Sequence, residues 1–233
     1  MITGLLRVRN EARWIERVIQ SILPCCERII VMDDHSTDQT AFIAASQPRT
    51  EVFESPYTGL NEVRDKNLLL SMARDGRSSS SWLLMIDGDE VLAPGGAAAV
   101  EKAVRESGAM AYKFHILYLW DREDQIRTDG IYEDFWRVRL FRDTGRNFTP
   151  SGPKGFHCGN SPNGNAGLRI DAPILHFGYL HPEDRLRKWR WYNQQDPGNR
   201  LEDEYRHIVA GLVPEVPAEM KTKHAGPLKL EPL

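Results

Sequence analysis

The first 90 residues alternate between two hydrophobic patterns. Short apolar runs, typical of buried strands, are separated by segments in which apolar residues recur at helical spacing. In one such segment the apolar residues from Trp14 to Ile22 fall on one face, and Pro24 follows as a stop. This alternation predicts an α/β fold with a mostly parallel central sheet and helices on both faces. The predicted strands are 2–8, 28–32, 51–54 and 82–86, and the predicted helices are 11–22, 39–46 and 61–74, with a serine-rich loop at 77–81.

The second half of the chain has a different pattern. Apolar and polar residues alternate at 110–119 and again at 136–141, which predicts half-buried antiparallel strands added to the parallel core. Residues 143–172 are rich in Gly, Pro, Asn and Ser and predict a long loop that orders over a substrate. The segment 212–233, with four prolines and scattered lysines, predicts a loose tail.

Composition excludes some classes of protein but does not identify one. A chain of 233 residues with 41% hydrophobic content can bury one core, so we expect a single domain over residues 1–211. The net charge of -3 gives no electrostatic case for strong non-specific binding of nucleic acid. Three cysteines, two of them adjacent, do not make a disulfide framework. Without an apolar run of membrane-spanning length or a recognisable signal peptide, the expected location is the cytoplasm.

Three carboxylates follow directly after the apolar run 82–86. Asp87, Asp89 and Glu90 surround Gly88, which lets the backbone turn sharply at the end of the strand. Carboxylates held together repel one another unless a cation or a proton joins them, and their oxygens suit Mg²⁺ or Mn²⁺. We therefore expect a site that holds a metal and, through it, a phosphate. The alternative is a loop in which Asp and Gly only cap the strand.

A second acidic cluster follows the apolar run 28–32. Asp33 and Asp34 begin it, and Ser36 and Asp38 are good N-caps for the helix that comes next. Capping explains one or two of these residues but not five polar ones in succession. Because ligands in open α/β sheets bind beyond the carboxyl ends of the strands, two acidic strand ends predict one shared crevice.

The segments Met-Asp-Asp-His-Ser-Thr-Asp at 32–38 and Asp-Gly-Asp-Glu at 87–90 belong to an ordered set of motifs. The first resembles the nucleotide-binding segment of family 2 glycosyltransferases with the Rossmann-like GT-A fold, and the second resembles their Asp-x-Asp metal motif. The resemblance covers about residues 2–195 and implies one GT-A domain, with a nucleotide-binding half at about 1–100 and an acceptor half at about 101–211. The other similar segments are Leu5 to Ile19, Arg64 to Asn67, Val138 to Arg142 and Ile174 to Tyr179.

The resemblance implies a role for each residue of a donor site. Asp89 and His176 are implied ligands of the metal, Mn²⁺ or Mg²⁺, and Asp87 contacts either the metal or the donor ribose. Asp34, with Asp33 beside it, is implied to accept a hydrogen bond from the base of a nucleotide sugar, namely uracil in a UDP-sugar. The rest of the implied site is Arg7, Asn10, Glu11, Gly88 and, for the diphosphate, Arg64 and Lys66. The plainer alternatives are a structural histidine and charges on the solvated face of a helix.

A general base is needed for inversion, because the acceptor hydroxyl must lose its proton as it attacks. In the branch that this chain resembles, a His-Glu pair follows the Arg-Leu-Phe-Arg segment, but here the sequence is His157-Cys158. Asp134, with Glu133 beside it, follows a tyrosine much like the acidic pair of other GT-A enzymes and is the predicted base. The other candidates are Asp143 and Asp171, and without a base we expect a retaining or inactive variant.

The acceptor is predicted by family analogy alone, as a glycan or a lipid-linked saccharide, with a hydroxylated DNA base or a protein side chain as alternatives. Residues 185–192 mix basic and aromatic side chains on a predicted helix, which fits stacking on sugars or bases, or else burial of Leu186 and Trp189. A nucleotidyltransferase is disfavoured because Arg9-Asn10-Glu11 stands where a glycine-rich phosphate loop would lie. A non-catalytic module that binds nucleotide sugars is harder to exclude, because the expected glutamate is missing.

Overall fold

The computed structural model describes residues 1–59, 61–75, 82–106, 108–151, 157–195, 197–198 and 203–233. The chain forms two compact units, the first made of Met1–His115 and Trp136–Ile174 and the second of Ile116–Phe135 and Leu175–Leu233. The serine-rich loop predicted at 77–81 lies outside the described residues.

The strands and helices follow the predicted alternation closely. The helices are α1 (Ile15–Ile22), α2 (Thr40–Ala45), α3 (Glu62–Arg74), α4 (Gly96–Glu106) and α5 (Pro182–Gln195), with 3-10 turns at Gly130–Tyr132 and Asp203–Val209. The strands are β1 (Ile2–Val8), β2 (Arg28–Asp33), β3 (Thr50–Glu54), β4 (Trp82–Met85), β5 (Glu90–Leu92), β6 (Ala111–Trp120), β7 (Arg122–Arg127), β8 (Trp136–Arg142), β9 (Pro150–Ser151), β10 (His157–Cys158), β11 (Leu168–Arg169), β12 (Ile174–His176) and β13 (Leu230–Pro232).

The sheet of the first unit has a parallel centre with antiparallel additions. Strands β4, β1, β2 and β3 are neighbours in that order and run parallel to one another. Strand β8 pairs antiparallel with β4 and with the first half of β6. The prediction of a mostly parallel sheet extended by antiparallel strands at 110–119 and 136–141 is therefore confirmed.

Helices pack on both faces of this sheet. Neighbouring residues of β1 point to opposite faces, and each face of β1 meets a different helix. Leu5 is fully buried in an apolar cluster that includes Leu69 and Leu70 of α3. Gly4 faces the other way, where a Cβ atom would lie 3.0 Å from Ile22 Cδ1 of α1. The side chain missing at Gly4 allows α1 to pack closely on the sheet.

The described part of the segment 143–172 is more structured than the predicted long loop. Strands β9 and β10 pair antiparallel, and β11 pairs in parallel with the start of β6. Asn67 Nδ2 of α3 donates a hydrogen bond to the Phe148 carbonyl at 3.1 Å, and the Phe148 amide donates to Asn67 Oδ1 at 2.7 Å. These contacts tie the described part of the segment to α3. The sequence did not reveal them because they join residues about 80 positions apart.

The second unit is built around aromatic rings and buried charge. Its core contains Trp120, Tyr132, Tyr179, Tyr205, Ile208 and Ala225. On α5 the fully buried side chain is Arg185, and its guanidinium lies 4.3 Å from the centre of the Trp120 ring. Trp189, one of the two residues in the burial alternative, is partly buried against the same core. Arg185 Nη1 donates to the Tyr179 carbonyl at 2.7 Å and Nη2 to Asp121 Oδ1 at 2.6 Å.

The segment after residue 212 is packed rather than loose, so the prediction of a loose tail is wrong. Strand β13 pairs antiparallel with β7, and Val216 and Ala225 are buried. Gly130, at a φ of +57°, approaches this segment so closely that a Cβ atom would lie 2.4 Å from the His224 carbonyl oxygen. Backbone pairing and close approach at small residues leave no hydrophobic period in the sequence, which explains the error.

Candidate functional site

The carboxyl ends of β1 and β2 bring Arg7 and Asp34 together. The two strands are paired so that Val8 faces Asp33, and the Asp34 amide donates to the Val8 carbonyl at 2.8 Å. Arg7 Nη2 donates to Asp34 Oδ2 at 2.6 Å. Asp34 is buried, and its other oxygen, Oδ1, has no hydrogen-bond partner among the described residues. A buried carboxylate oxygen without a partner is unusual in a folded protein and marks a place for a ligand to donate a hydrogen bond.

The loop after β1 is tied to the loop after β2 by hydrogen bonds between backbone and side chains. The Asn10 amide donates to Ser36 Oγ at 2.9 Å, and the Glu11 amide donates to Thr40 Oγ1 at 2.8 Å. Asn10 Oδ1 accepts from the Thr37 amide at 2.8 Å. Asn10 therefore has a structural task beside the predicted donor role, and Ser36 holds the first loop instead of capping α2.

Asp38 and Asp33 also have structural bonds. Asp38 Oδ1 accepts from the Thr40 amide at 3.0 Å, which supports the start of α2, and burial of Asp38 raises its pKa less than these hydrogen bonds lower it. Asp33 Oδ2 accepts from the Ser36 amide at 3.0 Å, while Asp33 Oδ1 is buried without a hydrogen-bond partner in the described part of the chain. The second acidic cluster therefore combines capping with two unpartnered carboxylate oxygens.

The basic segment at the start of α3 contains an acidic residue, Asp65, for which the sequence predicts no role. Asp65 is fully buried, and its two oxygens form ion pairs with Arg64 Nε at 2.7 Å and Arg7 Nε at 2.9 Å. Arg64 Nη2 also donates to the Gly59 carbonyl at 2.9 Å. Lys66 is less engaged, with its Nζ 3.5 Å from Glu62 Oε2. The signal that we missed is one carboxylate set between two cationic residues.

The acidic end of β4 lies against the end of β1. A Cβ atom on Gly88 would lie 2.9 Å from Val8 Cγ1 and 3.0 Å from Glu11 Cγ, so only glycine fits there without a shift of its neighbours. Since β1 lies between β2 and β4, the acidic residues after β2 and after β4 flank the same strand end. This is the arrangement that the sequence predicted for a shared crevice.

Arg139 of β8 binds two of the carboxylates after β4, a role that no sequence pattern predicts. Its Nη2 donates to Asp87 Oδ2 at 2.6 Å and also to Glu90 Oε1. Partial desolvation raises the pKa of the Asp87 carboxyl group, but the charge of Arg139 outweighs this and leaves the pKa below its ordinary value. For Glu90 burial prevails over Arg139 and raises the pKa to about 7. Asp87 is exposed by 57% of its side chain, whereas Asp89 and Glu90 are buried.

These carboxylates do not form a complete metal site by themselves. Within the described ranges, no group of three or more His, Cys, Asp or Glu side chains is placed to hold a metal ion. His176 belongs to the second unit, where it is buried beside the rings of Tyr118 and Tyr179, with ring centres 4.5 and 4.8 Å away.

The candidate bases differ in their surroundings. Glu133 and Asp134 are exposed and follow the 3-10 turn Gly130–Tyr132 in the second unit. Asp143 in the first unit is buried and bound by Arg74, with 2.8 Å between Arg74 Nη2 and Asp143 Oδ1. Asp171 is exposed, and Cys158 lies in β10. The ion pair makes Asp143 a poor base, because a carboxylate held by a guanidinium has a low affinity for a proton.

Residues 6–165 match the family model described as glycosyl transferase family 2. That is more than half of the chain, and the chain belongs to this family. The resemblance inferred from the motifs is confirmed. In the part of the chain that is described, no helix has the length and apolar character needed to cross a membrane.

Similar proteins agree with this family and with the fold. An uncharacterized glycosyltransferase of Rickettsia bellii is 34% identical over 91 residues, which cover 39% of this chain and 28% of the relative. A second one, from Rickettsia felis, is also 34% identical over 91 residues, covering 29% of its length. The chain thus spans less than a third of the length of these relatives.

Among solved structures, TarS of S. aureus superimposes with a TM-score of 0.51 at 12% identity, covering 89% of this chain and 42% of TarS. This likeness concerns the fold alone. Together with the mixed sheet described above, it confirms the predicted GT-A architecture.

Proposed function

We propose that this chain transfers a sugar from a UDP-sugar to an acceptor hydroxyl, with inversion and with Mn²⁺ or Mg²⁺. The observation that carries the proposal is the carboxylate of Asp34, whose Oδ2 is held by Arg7 while its buried Oδ1 has no hydrogen-bond partner among the described residues. The N–H group of uracil would satisfy this oxygen at the carboxyl edge of the sheet. Membership of glycosyl transferase family 2 supplies the reaction class.

Asp87 and Asp89 are the proposed protein ligands of the metal, with His176 added by the family resemblance. Two carboxylates together with phosphate oxygens are a usual environment for a hard divalent cation, so this donor set fits a metal whose coordination the diphosphate completes. Glu90 is left out because it is buried as well as bound by Arg139, whereas Asp87, which Arg139 also binds, has an exposed side chain. When bound, the metal supplies positive charge to the diphosphate as it leaves.

Lys66 suits the diphosphate better than Arg64 does. Arg64 is occupied by Asp65 and by the Gly59 carbonyl. Lys66 has a 3.5 Å pair with Glu62 on the same helix, a kind of pair that contributes about 0.2–0.5 kcal/mol, and its Nζ lies 5.5 Å from the centre of the Phe148 ring. Lys66 can therefore exchange Glu62 for a phosphate oxygen at little cost.

Asp134 is the proposed general base, with Glu133 as its neighbour and substitute. Both are exposed and so can reach an acceptor hydroxyl. The proposed acceptor is a glycan or a lipid-linked saccharide, and a hydroxylated DNA base is the alternative. A non-catalytic module that binds nucleotide sugars is the second candidate function, favoured by the one observation that Cys158 replaces the expected glutamate.

The metal site is tested by the melting temperature with UDP, with and without Mn²⁺. Since a ligand stabilises the state that binds it, wild type should melt higher with UDP and Mn²⁺ together than with either alone. Asp89→Asn should lose this additional stabilisation, and Glu106→Gln, a change at an exposed carboxylate at the end of α4, should keep it. Equal stabilisation of wild type and Asp89→Asn would refute the metal assignment. In a separate assay, exchange of pyrophosphate into a nucleoside triphosphate would instead support a nucleotidyltransferase.

The base is tested by Asp134→Asn, which keeps size and polarity but cannot accept a proton. Sugar transfer should fall by roughly 100-fold or more, while UDP and Mn²⁺ still bind. Glu133→Gln is the matched control and should lose less. If Asp134→Asn stays active and Cys158→Glu gains activity, the base lies in the segment 143–172. If neither wild type nor Cys158→Glu transfers sugar, the chain is a binding module.

A further inference from the structure

Asp65 is the buried centre of a chain of alternating charges in the first unit. Its side chain is 1% exposed, and it lies between Arg7 of β1 and Arg64 of its own helix. Arg7 continues the chain to Asp34, so the order is Asp34, Arg7, Asp65, Arg64. A buried carboxylate between two guanidinium groups is held in place by both of them, and it in turn restricts both.

The position of Arg7 decides which oxygen of Asp34 is available. Arg7 Nη2 bonds to Asp34 Oδ2 at 2.6 Å, and Arg7 Nε lies 2.9 Å from Asp65 Oδ2. An arginine facing a single carboxylate often binds both of its oxygens with two parallel N–H groups. Because Arg7 Nε faces Asp65, in an ion pair that lacks hydrogen-bond geometry, Arg7 binds Asp34 through Nη2 and one oxygen only, and Asp34 Oδ1 keeps no hydrogen-bond partner among the described residues.

The other end of the chain fixes the loop after β3. Arg64 Nη2 donates to the Gly59 carbonyl at 2.9 Å, and its guanidinium lies 4.4 Å from the centre of the Tyr57 ring. His35 Nε2 lies 2.8 Å from the Tyr57 carbonyl oxygen, so this loop also contacts the residue that follows Asp34. Asp65 thus contacts Arg7, which binds Asp34, and Arg64, which binds the loop after β3.

A second ion pair on α3 shows what a purely structural pair looks like. Arg74 binds Asp143 with two nitrogen atoms, at 3.0 Å from Nε to Oδ2 and 2.8 Å from Nη2 to Oδ1. Asp143 Oδ1 also accepts from the Gly145 amide at 2.9 Å. Both oxygens of that carboxylate are used within the protein. The Asp65 chain differs because it ends at Asp34 Oδ1, a buried oxygen without a hydrogen-bond partner among the described residues, and because Asp65 Oδ2 is matched only by its ion pair with Arg7.

We propose that Asp65 is a positioning residue that sets the nucleobase preference of the donor site. It holds Arg7 in the orientation that keeps Asp34 Oδ1 available to the N–H group of the base. This inference rests on the proposed function in that it takes the donor to be a uridine nucleotide. Without the charge of Asp65, Arg7 turns to bind both oxygens of Asp34, and the site loses its acceptor for uracil.

The test compares Asp65→Asn with Arg74→Gln, which breaks the structural pair on the same helix. UDP and CDP affinities are measured by titration calorimetry, because uracil offers an N–H group at ring position 3 and cytosine does not. Asp65→Asn should weaken UDP by about tenfold, as expected for a lost hydrogen bond to a charged group, and CDP by much less. Arg74→Gln should leave the UDP to CDP ratio unchanged, whatever it does to the melting temperature.

A double variant tests whether Asp65 acts through Arg7. If it does, Arg7→Gln combined with Asp65→Asn should cost no more UDP affinity than Arg7→Gln alone, since coupled residues are not additive. Additive losses would overturn the proposal. Should Asp65→Asn fail to fold, Arg7→Lys serves in its place, because an ammonium group cannot bridge both carboxylates as the guanidinium does, and it should lower the same ratio.

The two hypotheses fail in different ways. If wild type binds neither UDP nor any other nucleoside diphosphate, the proposed function is wrong. If wild type binds UDP and Asp65→Asn keeps the wild-type UDP to CDP ratio, only the role of Asp65 is wrong.

Discussion

Two arginines that each bind a buried aspartate, Arg7 in the first unit and Arg127 in the second, have different surroundings. The side chain of Arg7 is 24% exposed and forms ion pairs with both Asp34 and Asp65. Arg127 is 0% exposed at its side chain, binds both oxygens of Asp129 at 2.7 and 2.9 Å and also donates to the His207 carbonyl. One arginine is partly open to solvent and the other is enclosed.

The difference is sharpest at the partner carboxylates and the covering groups. Asp34 keeps a buried oxygen that no described residue satisfies. Asp129 Oδ1 accepts a further bond from the Lys229 amide at 3.1 Å, and the rings of Trp120 and Tyr132 lie 4.6 and 4.3 Å from the Arg127 guanidinium. A charge network with an open acceptor is suited to a ligand, whereas one that uses its own groups contributes to the fold. The contrast shows that a buried polar atom without a hydrogen-bond partner indicates a ligand site better than a buried charge does.

The largest expected effect comes from breaking the enclosed network, that is, the contacts of Arg127 with Asp129 and with the His207 carbonyl. Arg127→Met should lower the free energy of unfolding by about 3–5 kcal/mol, because it leaves Asp129 buried without its counter-charge. Chemical denaturation followed by far-UV circular dichroism measures this loss. Arg122→Met, on the same strand but in an exposed pair with Asp124, is the matched control and should change stability little. Equal losses would mean that the enclosure of Arg127 has no energetic consequence.

The sequence was sufficient for the parts of the fold that follow local patterns. The alternation of strands and helices up to Met85, and the period of two in β6 and β8, reflect which face of each element is buried, and one segment of chain carries that information. The tail after 212 was wrongly predicted because its order comes from pairing with β7 and from the close approach at Gly130. Contacts of that kind depend on residues that are distant along the chain.

The candidate site shows the same difference between features that follow local sequence patterns and features that depend on contacts between distant residues. The carboxylates at Asp33, Asp34, Asp87 and Asp89 stand at strand ends, where position along the chain and topology agree, so the sequence located them. Arg139 and Asp65 could not be recognised, because their importance comes from the charged groups that they meet, Asp87 and Arg7, which lie far from them along the chain. Whether Asp134 is the base and His176 a metal ligand stays a prediction.

The second expected effect concerns pH and the enclosed network. Burial lowers the pKa of His207 to about 3, and the charges of Arg127 and His224 add to this, against the opposing effect of Asp203 and Asp129. The unfolded chain binds this proton below about pH 6.5 and the folded protein does not, so this contribution to stability is complete above pH 6.5 and declines as the pH falls toward 3.

We therefore expect His207→Gln to show a flatter fall in unfolding free energy over that range than wild type, by a few kcal/mol at most. Denaturation midpoints measured at intervals between pH 7 and 4 give the two slopes. His181→Gln, at a histidine that is not buried, should retain the wild-type slope. Identical slopes in His207→Gln and wild type would show that His207 is not held neutral in the folded protein.

The smallest expected effect on stability is at the open network, that is, Arg7 with Asp34 and Asp65. A variant there separates ligand binding from stability. Asp34→Ala should weaken UDP by about 1–3 kcal/mol, the cost of leaving the N–H group of uracil unpaired in a buried position, and should reduce the preference for UDP over CDP. Its effect on unfolding should be smaller than that of Arg127→Met, since Arg7 keeps Asp65 as a counter-charge after Asp34 is removed. Calorimetric titration and denaturation of the same preparations give both quantities. If Asp34→Ala binds UDP as tightly as wild type does, the open oxygen is not a ligand acceptor, and Asp33 and Asp34 serve only the loop before α2.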